Sequence, residues 1–130
     1  MLASSPDKGI VFQLSPGQAS DSTEGATVVA CSSKRFRSTP YLVMDRAYEG
    51  DPMRNFASQS GFIPIVPPKS NRLFPWTYDR RLYNKRNEIE RLFHRLKNFM
   101  RISTRFDKLD LVYSSFISLA LVCIRLKYLC

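Results

Sequence analysis

Tyr83-Asn84-Lys85-Arg86-Asn87-Glu88-Ile89-Glu90-Arg91-Leu92-Phe93-His94-Arg95-Leu96-Lys97 carries two patterns at once. Ile89, Leu92, Phe93, Leu96, Phe99 and Met100 recur at steps of three and four, which predicts a helix from about Tyr83 to Met100. On a wheel turning about 100° per residue, Tyr83, Arg86, Glu90 and Lys97 fall within about 60° of one another, away from the apolar stripe. A carboxylate with a guanidinium one turn before it and an ammonium two turns after it can hold a divalent metal while the cations hold phosphate oxygens. The plainer reading is a solvated helix face of i,i+4 ion pairs, and spacing alone favours it.

Outward from this stretch the sequence alternates short apolar runs with turns. Asp110 to Lys127 is a second helical segment, apolar nearly all round, as expected of a buried helix. Its apolar part, Leu111 to Ile124, is broken by Ser114, Ser115 and Ser118 and falls short of the roughly 20 residues of a membrane span. Upstream, Tyr41-Leu42-Val43-Met44 has the pattern of a buried strand, ending at Asp45-Arg46. An Asp in that place is ordinarily a turn former or helix cap. Asp51 is the expected cap of a helix over Pro52 to Ser58 that Gly61 stops. Phe62 to Val66 is a second apolar run, which Pro64 restricts to an edge strand or irregular piece. Pro67 to Arg72 is a rigid basic loop, and Trp76 reads as a loop anchor more than as a base-stacking platform. Ile10 to Leu14 reads as a short strand stopped by Ser15-Pro16-Gly17. Asp21 or Ser22 weakly marks a brief helix, and Ser32 to Thr39 reads as a polar linker. The order of elements points to an α/β layer fold.

The 130 residues suffice for one domain, and 44% hydrophobic residues suffice for a core. A formal net charge of +9 favours a polyanionic partner, nucleic acid first. The excess is concentrated, since residues 81–108 hold nine cations against three anions. Three cysteines without a C-x-x-C pair and a single histidine, His94, exclude a structural zinc site and point to a reducing, cytoplasmic compartment. His94 is read as a solvated or hydrogen-bonded side chain.

The helix spacing Tyr83-x-x-Arg86-x-x-x-Glu90-x-x-x-x-x-x-Lys97 resembles the Y-(2)-R-(3)-E-(6)-K signature of bacterial insertion-sequence transposases of the DDE type, the insertion-sequence four/five-like group. Val43-Met44-Asp45-Arg46-Ala47-Tyr48 is similar to the segment bearing that family's second catalytic Asp. Gly61 to Arg72 resembles its segment ending in P-P-K-x-N-R, and Arg101 to Leu109 resembles the stretch after its catalytic helix. Leu14 to Thr23 resembles its P-G-Q turn, with Ser20 in place of the usual His. The resemblance spans about residues 10 to 125.

That resemblance implies an RNase H-like fold in which two Asp and one Glu hold two divalent ions, Mg²⁺ or Mn²⁺, for DNA cleavage and strand transfer. By carry-over Asp45 is the second Asp and Glu90 the Glu, both metal ligands; Arg86 and Lys97 contact DNA phosphates, and Tyr83 supports the site. Lys69 and Arg72 in the loop and Arg91 and Arg95 on the basic helix are further DNA-binding candidates. The implied partners are transposon ends and target DNA, with homo-oligomers or pairing with a full-length transposase, no membrane, and a nucleoid-associated location. The family's first Asp lies upstream of the P-G-Q turn, and neither Asp7 nor Asp21 fits it. The expectation is therefore a partial RNase H-like domain, a short sheet plus C-terminal helices lacking the first strands. Residues 1–9 would be a non-matching stub and 10–127 the C-terminal part of the catalytic domain, inactive or weakly active by itself. The alternative is a non-catalytic module that binds DNA or a transposase.

Overall fold

The computed structural model describes residues 1–5, 8–14, 21–33, 36, 38–105 and 107–127. The Ser15-Pro16-Gly17 turn, Asp7 and Cys130 lie outside them. The chain forms mixed α/β structure in two compact units, one of residues 1–14 with 87–130 and one of residues 15–86.

In the first unit β1 (Leu2–Ser5) pairs antiparallel with β2 (Lys8–Val11), setting Leu2 opposite Val11 and Ser5 opposite Lys8. The expected strand over Ile10 to Leu14 is thus displaced toward the N-terminus. The ladder runs only as far as its partner, which begins at Leu2, so pairing and not the apolar run sets the boundary. Helix α4 (Asn87–Lys97) packs on β1, and α6 (Asp110–Lys127) packs on β2 and α4. Leu92 and Leu96 on α4 meet Ala120 and Ile124 on α6, each pair one turn apart and so on one helix face. Met1, Ala3, Ile89, Ile102 and Leu121 close around this cluster. Tyr113 Oη donates to the Ile102 carbonyl at 3.0 Å, tying α6 to α5 (Met100–Thr104).

Two helical expectations change. The single helix Tyr83 to Met100 is three pieces: α3 (Arg80–Asn84), α4 and α5. At the first break Lys85 N and Arg86 N donate to the carbonyls of Leu82 and Tyr83, three residues back, and at the second Phe99 N donates to Leu96 O in the same way. Such tightened turns end α-helical pairing. Asn84, Asn87 and Asn98 stand at or beside the breaks, where short polar side chains compete with helical bonds. Helix α6 has the expected bounds, but it buries only the face bearing Ile117, Ala120 and Ile124. Leu111, Val112, Leu119, Val122 and Leu126 are exposed, because one helix face is all that the hairpin and α4 can cover.

In the second unit β3 (Tyr41–Val43) pairs in parallel with β4 (Ile63–Ile65), with Leu42 opposite Pro64. Ile63 N donates to Pro40 O, and Met44 N to Ile65 O, extending the ladder at both ends. Because alternate residues of a strand point their N–H groups the same way, Pro64 lacks a donor only on the side away from β3, as an edge position requires. Helix α2 (Asp51–Gln59) starts one residue earlier than expected. Gly50 is the N-cap and Asp51 lies in the first turn beside Pro52. Gly61, with φ of 85°, turns the chain back into β4, in a region that favours glycine.

Helix α1 (Asp21–Ser33) is far longer than the brief helix expected, and it absorbs Ser32 from the supposed linker. Ser32 is buried, and its Oγ donates to the Val29 carbonyl at 2.9 Å. Gly25, which by propensity weakens this helix, is there for contact: a Cβ on it would stand 2.6 Å from Cε1 of Tyr48. Among the described residues of this unit, Val29, Leu42, Met44, Met53, Ala57, Phe62, Ile65, Val66 and Pro67 are buried.

Glu49 is buried between the Asp45 turn and the Pro67–Arg72 loop. Its carboxylate accepts from Lys69 N (3.3 Å) and pairs with Lys69 Nζ (3.4 Å) and Arg72 Nη1 (3.3 Å). Arg72 also bonds Asp51 through Nη2, and Asp51 pairs with Arg54 at 3.4 Å. The Arg54 guanidinium lies 3.5 Å and that of Arg72 4.6 Å from the centre of the Trp76 ring, whose Nε1 donates to Val66 O at 2.9 Å. Trp76 is therefore the loop anchor expected. Burial alone would raise the Glu49 carboxyl pKa, but the Lys69 amide and ammonium and the Arg72 guanidinium outweigh it and hold the group below its ordinary value. The Arg72 hydrogen bond depresses Asp51 likewise.

Two outcomes follow. Gly25→Ala improves helix propensity by about 1 kcal/mol yet lowers stability by about 1–3 kcal/mol, since the Tyr48 ring must move; urea midpoints with and without the substitution measure the sign. Glu49 and Asp51 take up protons near their ordinary values of 4.5 and 3.8 when unfolded, and only at lower pH when folded. Stability of this unit is therefore flat above that range and falls as pH drops through it. Urea titrations at several pH values, followed by fluorescence of the lone Trp76, show the slope, and Glu49→Gln flattens it.

Candidate functional site

Asp45 emerges from the C-terminal end of β3, where Met44 is the last residue bonded into the ladder. Its backbone is extended, and it caps the 3₁₀ turn Arg46–Tyr48. Oδ1 accepts from Arg46 N at 2.7 Å, and its carbonyl accepts from Tyr48 N at 2.9 Å. The bland reading, a capping Asp, is thus correct as far as it goes. The carboxylate is nevertheless more than half exposed, so capping leaves it open to solvent and ligands.

Arg86 reaches this carboxylate. It sits in the turn between α3 and α4, and its Nη1 lies 3.5 Å from Asp45 Oδ1. Asp79 fixes the element that carries it: Oδ1 caps α3 by accepting from Arg81 N (2.7 Å) and Leu82 N (3.2 Å). Tyr83 on α3 lies edge-on to Tyr78, ring centres 5.7 Å apart, and its ring is 5.9 Å from the Arg86 guanidinium. Tyr83 thus stands beside Arg86, and Arg86 pairs with Asp45.

The four-residue stripe does not survive as one helix face. Tyr83 and Arg86 belong to residues 15–86, and Glu90 and Lys97 to α4 in the other unit, because the chain turns at Lys85-Arg86. Glu90, Phe93, His94 and Lys97 line an open depression of about 330 Å³ on α4. Glu90 lies in the first turn, where the helix dipole favours an anion, and His94, Arg95 and Lys97 lie in the last, where it favours cations. Arg91 and Arg95 are also on α4, with Arg91 paired to Glu88 at 3.2 Å. Lys69 and Arg72 both engage Glu49, although the Lys69 side chain remains more than half exposed.

Two features escaped sequence reasoning. The Asp45–Arg86 pair joins residues 41 positions apart, and nothing in their spacing announces it. Nor does the sequence single out Glu49; the one hint is the basic P-P-K-x-N-R loop, whose charge calls for a partner. Among the described residues no group of three or more His, Cys, Asp or Glu is close enough to hold a metal ion. No described helix is long and apolar enough to cross a membrane.

Comparison with known proteins gives this arrangement a family. The family model described as "Transposase DDE domain" matches residues 7–124. A curated relative, "Putative transposase for insertion sequence element IS6501" of Brucella ovis, is 28% identical over 116 residues, covering 86% of this chain and 84% of its own length. No solved structure matches the chain significantly. With nearly all of its length inside the match, a carboxylate at the end of a parallel strand and a basic helix bearing Glu90, the chain belongs to the transposase DDE domain family.

Proposed function

We propose that the chain serves DNA transposition as part of a DDE-type nuclease and strand transferase of the insertion-sequence four/five-like group, with Asp45 and Glu90 as its metal-binding carboxylates. Transposases of this family act on DNA and use divalent metal ions. The observation that carries the assignment is Asp45 at the end of a parallel strand, its carboxylate open and faced by Arg86, inside a match of residues 7–124. Family membership implies an RNase H-like fold, and the β3–β4 pair and the β1–β2 hairpin are the elements that support reading this chain as part of one.

The donor chemistry suits Mg²⁺ or Mn²⁺, hard cations that take carboxylate oxygens. Among the described residues no group of three or more His, Cys, Asp or Glu comes together, so neither unit by itself fits a two-ion site. What these residues do alone is electrostatic. Arg86 neutralises Asp45 and is poised to exchange that partner for a phosphate oxygen, a bidentate match for its guanidinium. Arg91, Arg95 and Lys97 extend positive charge along α4 around Glu90. The same incompleteness supports a second role, in which the chain holds DNA or pairs with another transposase copy without cutting.

DNA binding dominated by these cations weakens roughly a hundredfold between 50 and 200 mM salt for about four phosphate contacts. Joint replacement of Arg86, Arg91, Arg95 and Lys97 by alanine removes most of the affinity and flattens the salt slope; fluorescence anisotropy with a labelled duplex measures both. The chain alone cleaves DNA bearing its element's ends weakly or not at all in Mg²⁺. Robust cleavage that Glu90→Gln abolishes would establish a complete site and overturn the partial-site reading.

A further inference from the structure

Asp45 and Glu49 are the two ends of one 3₁₀ turn. Asp45 is its N-cap, Glu49 its C-cap, and Glu49 N donates to Arg46 O at 3.2 Å. The two carboxylates have opposite surroundings. That of Asp45 is more than half exposed, whereas Glu49 is 7% exposed, the one charged residue so deeply buried among the described residues. A buried carboxylate is retained only where donors satisfy it, and here they all come from the loop after β4: Lys69 N, Lys69 Nζ and Arg72 Nη1. That loop is itself held. Arg72 is shared with Asp51 at the start of α2 and lies over Trp76, which is bonded to Val66 O at the end of the ladder.

The turn is therefore clamped at both ends. The β3–β4 ladder fixes its entrance through Met44 N to Ile65 O, and the Glu49 clasp fixes its exit onto the chain that leaves the same β4 strand. Between the two clamps Asp45 has little freedom to swing, although its own side chain is solvated and makes one short backbone bond and one longer ion pair.

We propose that Glu49, held by Lys69 and Arg72, is a positioning residue that fixes the direction of the Asp45 carboxylate. The consequence for chemistry rests on the reading of Asp45 as a metal ligand; the positioning itself does not. On this account the basic loop assigned to DNA by its charge has an internal task, with Arg72 serving the turn and the exposed Lys69 ammonium at its rim.

The Arg46 amide tests this directly, because its acceptor is Asp45 Oδ1 itself. In the full 130-residue chain, Glu49→Gln keeps the side chain's size and removes its charge. Amide exchange followed by NMR is expected to show protection falling about tenfold at Arg46, Tyr48 and Glu49 or its replacement, while Met44 and Ile63, bonded into the ladder, keep theirs. Unchanged protection at Arg46, or an equal fall at Met44 and Ile63, would overturn the proposal, the latter by showing a global loss of stability. If Glu49→Gln does not fold, Arg72→Lys decides the matter. It keeps the charge but not the fork that spans Glu49 and Asp51, and a severalfold loss confined to the turn supports the clasp while no change refutes it. A Mn²⁺ titration of wild type and Asp45→Asn runs in parallel. Broadening at Arg46 that needs Asp45 supports the ligand reading. Its absence overturns that reading alone, and the exchange result still decides the role of Glu49.

Discussion

The buried carboxylate of Glu49 is the constraint that orders the turn at Asp45, the loop after β4 and the start of α2. A charge removed from water needs its donors in fixed places, and satisfying Glu49 places three things at once. It sets the backbone of Lys69, the fork of Arg72 and, through Arg72, the start of α2 at Asp51. The Trp76 ring, under Arg54 and Arg72 and bonded to Val66, closes the arrangement with apolar area and one hydrogen bond. A two-stranded parallel sheet is too small to be rigid by its ladder alone. The polar clasp supplies the order that a larger sheet would draw from its neighbouring strands.

On the proposed reading the Asp45 carboxylate has to stay reachable yet not wander, and the two demands conflict at an exposed strand end. Here they are divided between residues. Asp45 is exposed and available, and the residues around it carry the burden of order: Met44 in the ladder, Arg46 and Tyr48 in the turn, Glu49 beneath it. Arg86 adds a counter-charge that keeps the carboxylate company without burying it. A guanidinium in that position is suited to both a carboxylate and a phosphate oxygen.

The first unit is organised by packing instead. Leu92 and Leu96 on α4 and Ala120 and Ile124 on α6 interlock against the hairpin, and Glu90, Arg91, His94 and Lys97 on α4 are exposed. The amphipathic pattern of residues 87–97 made that division legible before any coordinates. It failed at the two ends of the stretch, where three-residue hydrogen bonds beside Asn84, Asn87 and Asn98 divide one periodic run into α3, α4 and α5. Periodicity reports which face a residue would occupy if the helix continued; it cannot report that the helix stops. Helix α6 shows the complementary limit, since an all-apolar sequence does not say how many of its faces will find a partner.

The sequence by itself determined the α/β alternation, the strand ending at Asp45, the proline-marked edge at β4, the basic helix and the resemblance to the DDE transposases. Each of these is local, written in side-chain periodicity, turn residues or motif spacing. The tertiary structure alone decided that Arg86 meets Asp45, that Glu49 is buried on Lys69 and Arg72, that Gly25 exists to admit Tyr48, and that β2 starts at Lys8. These are contacts between residues distant in the chain or strand boundaries set by a partner. Their energies depend on burial and approach, which no local stretch of sequence contains.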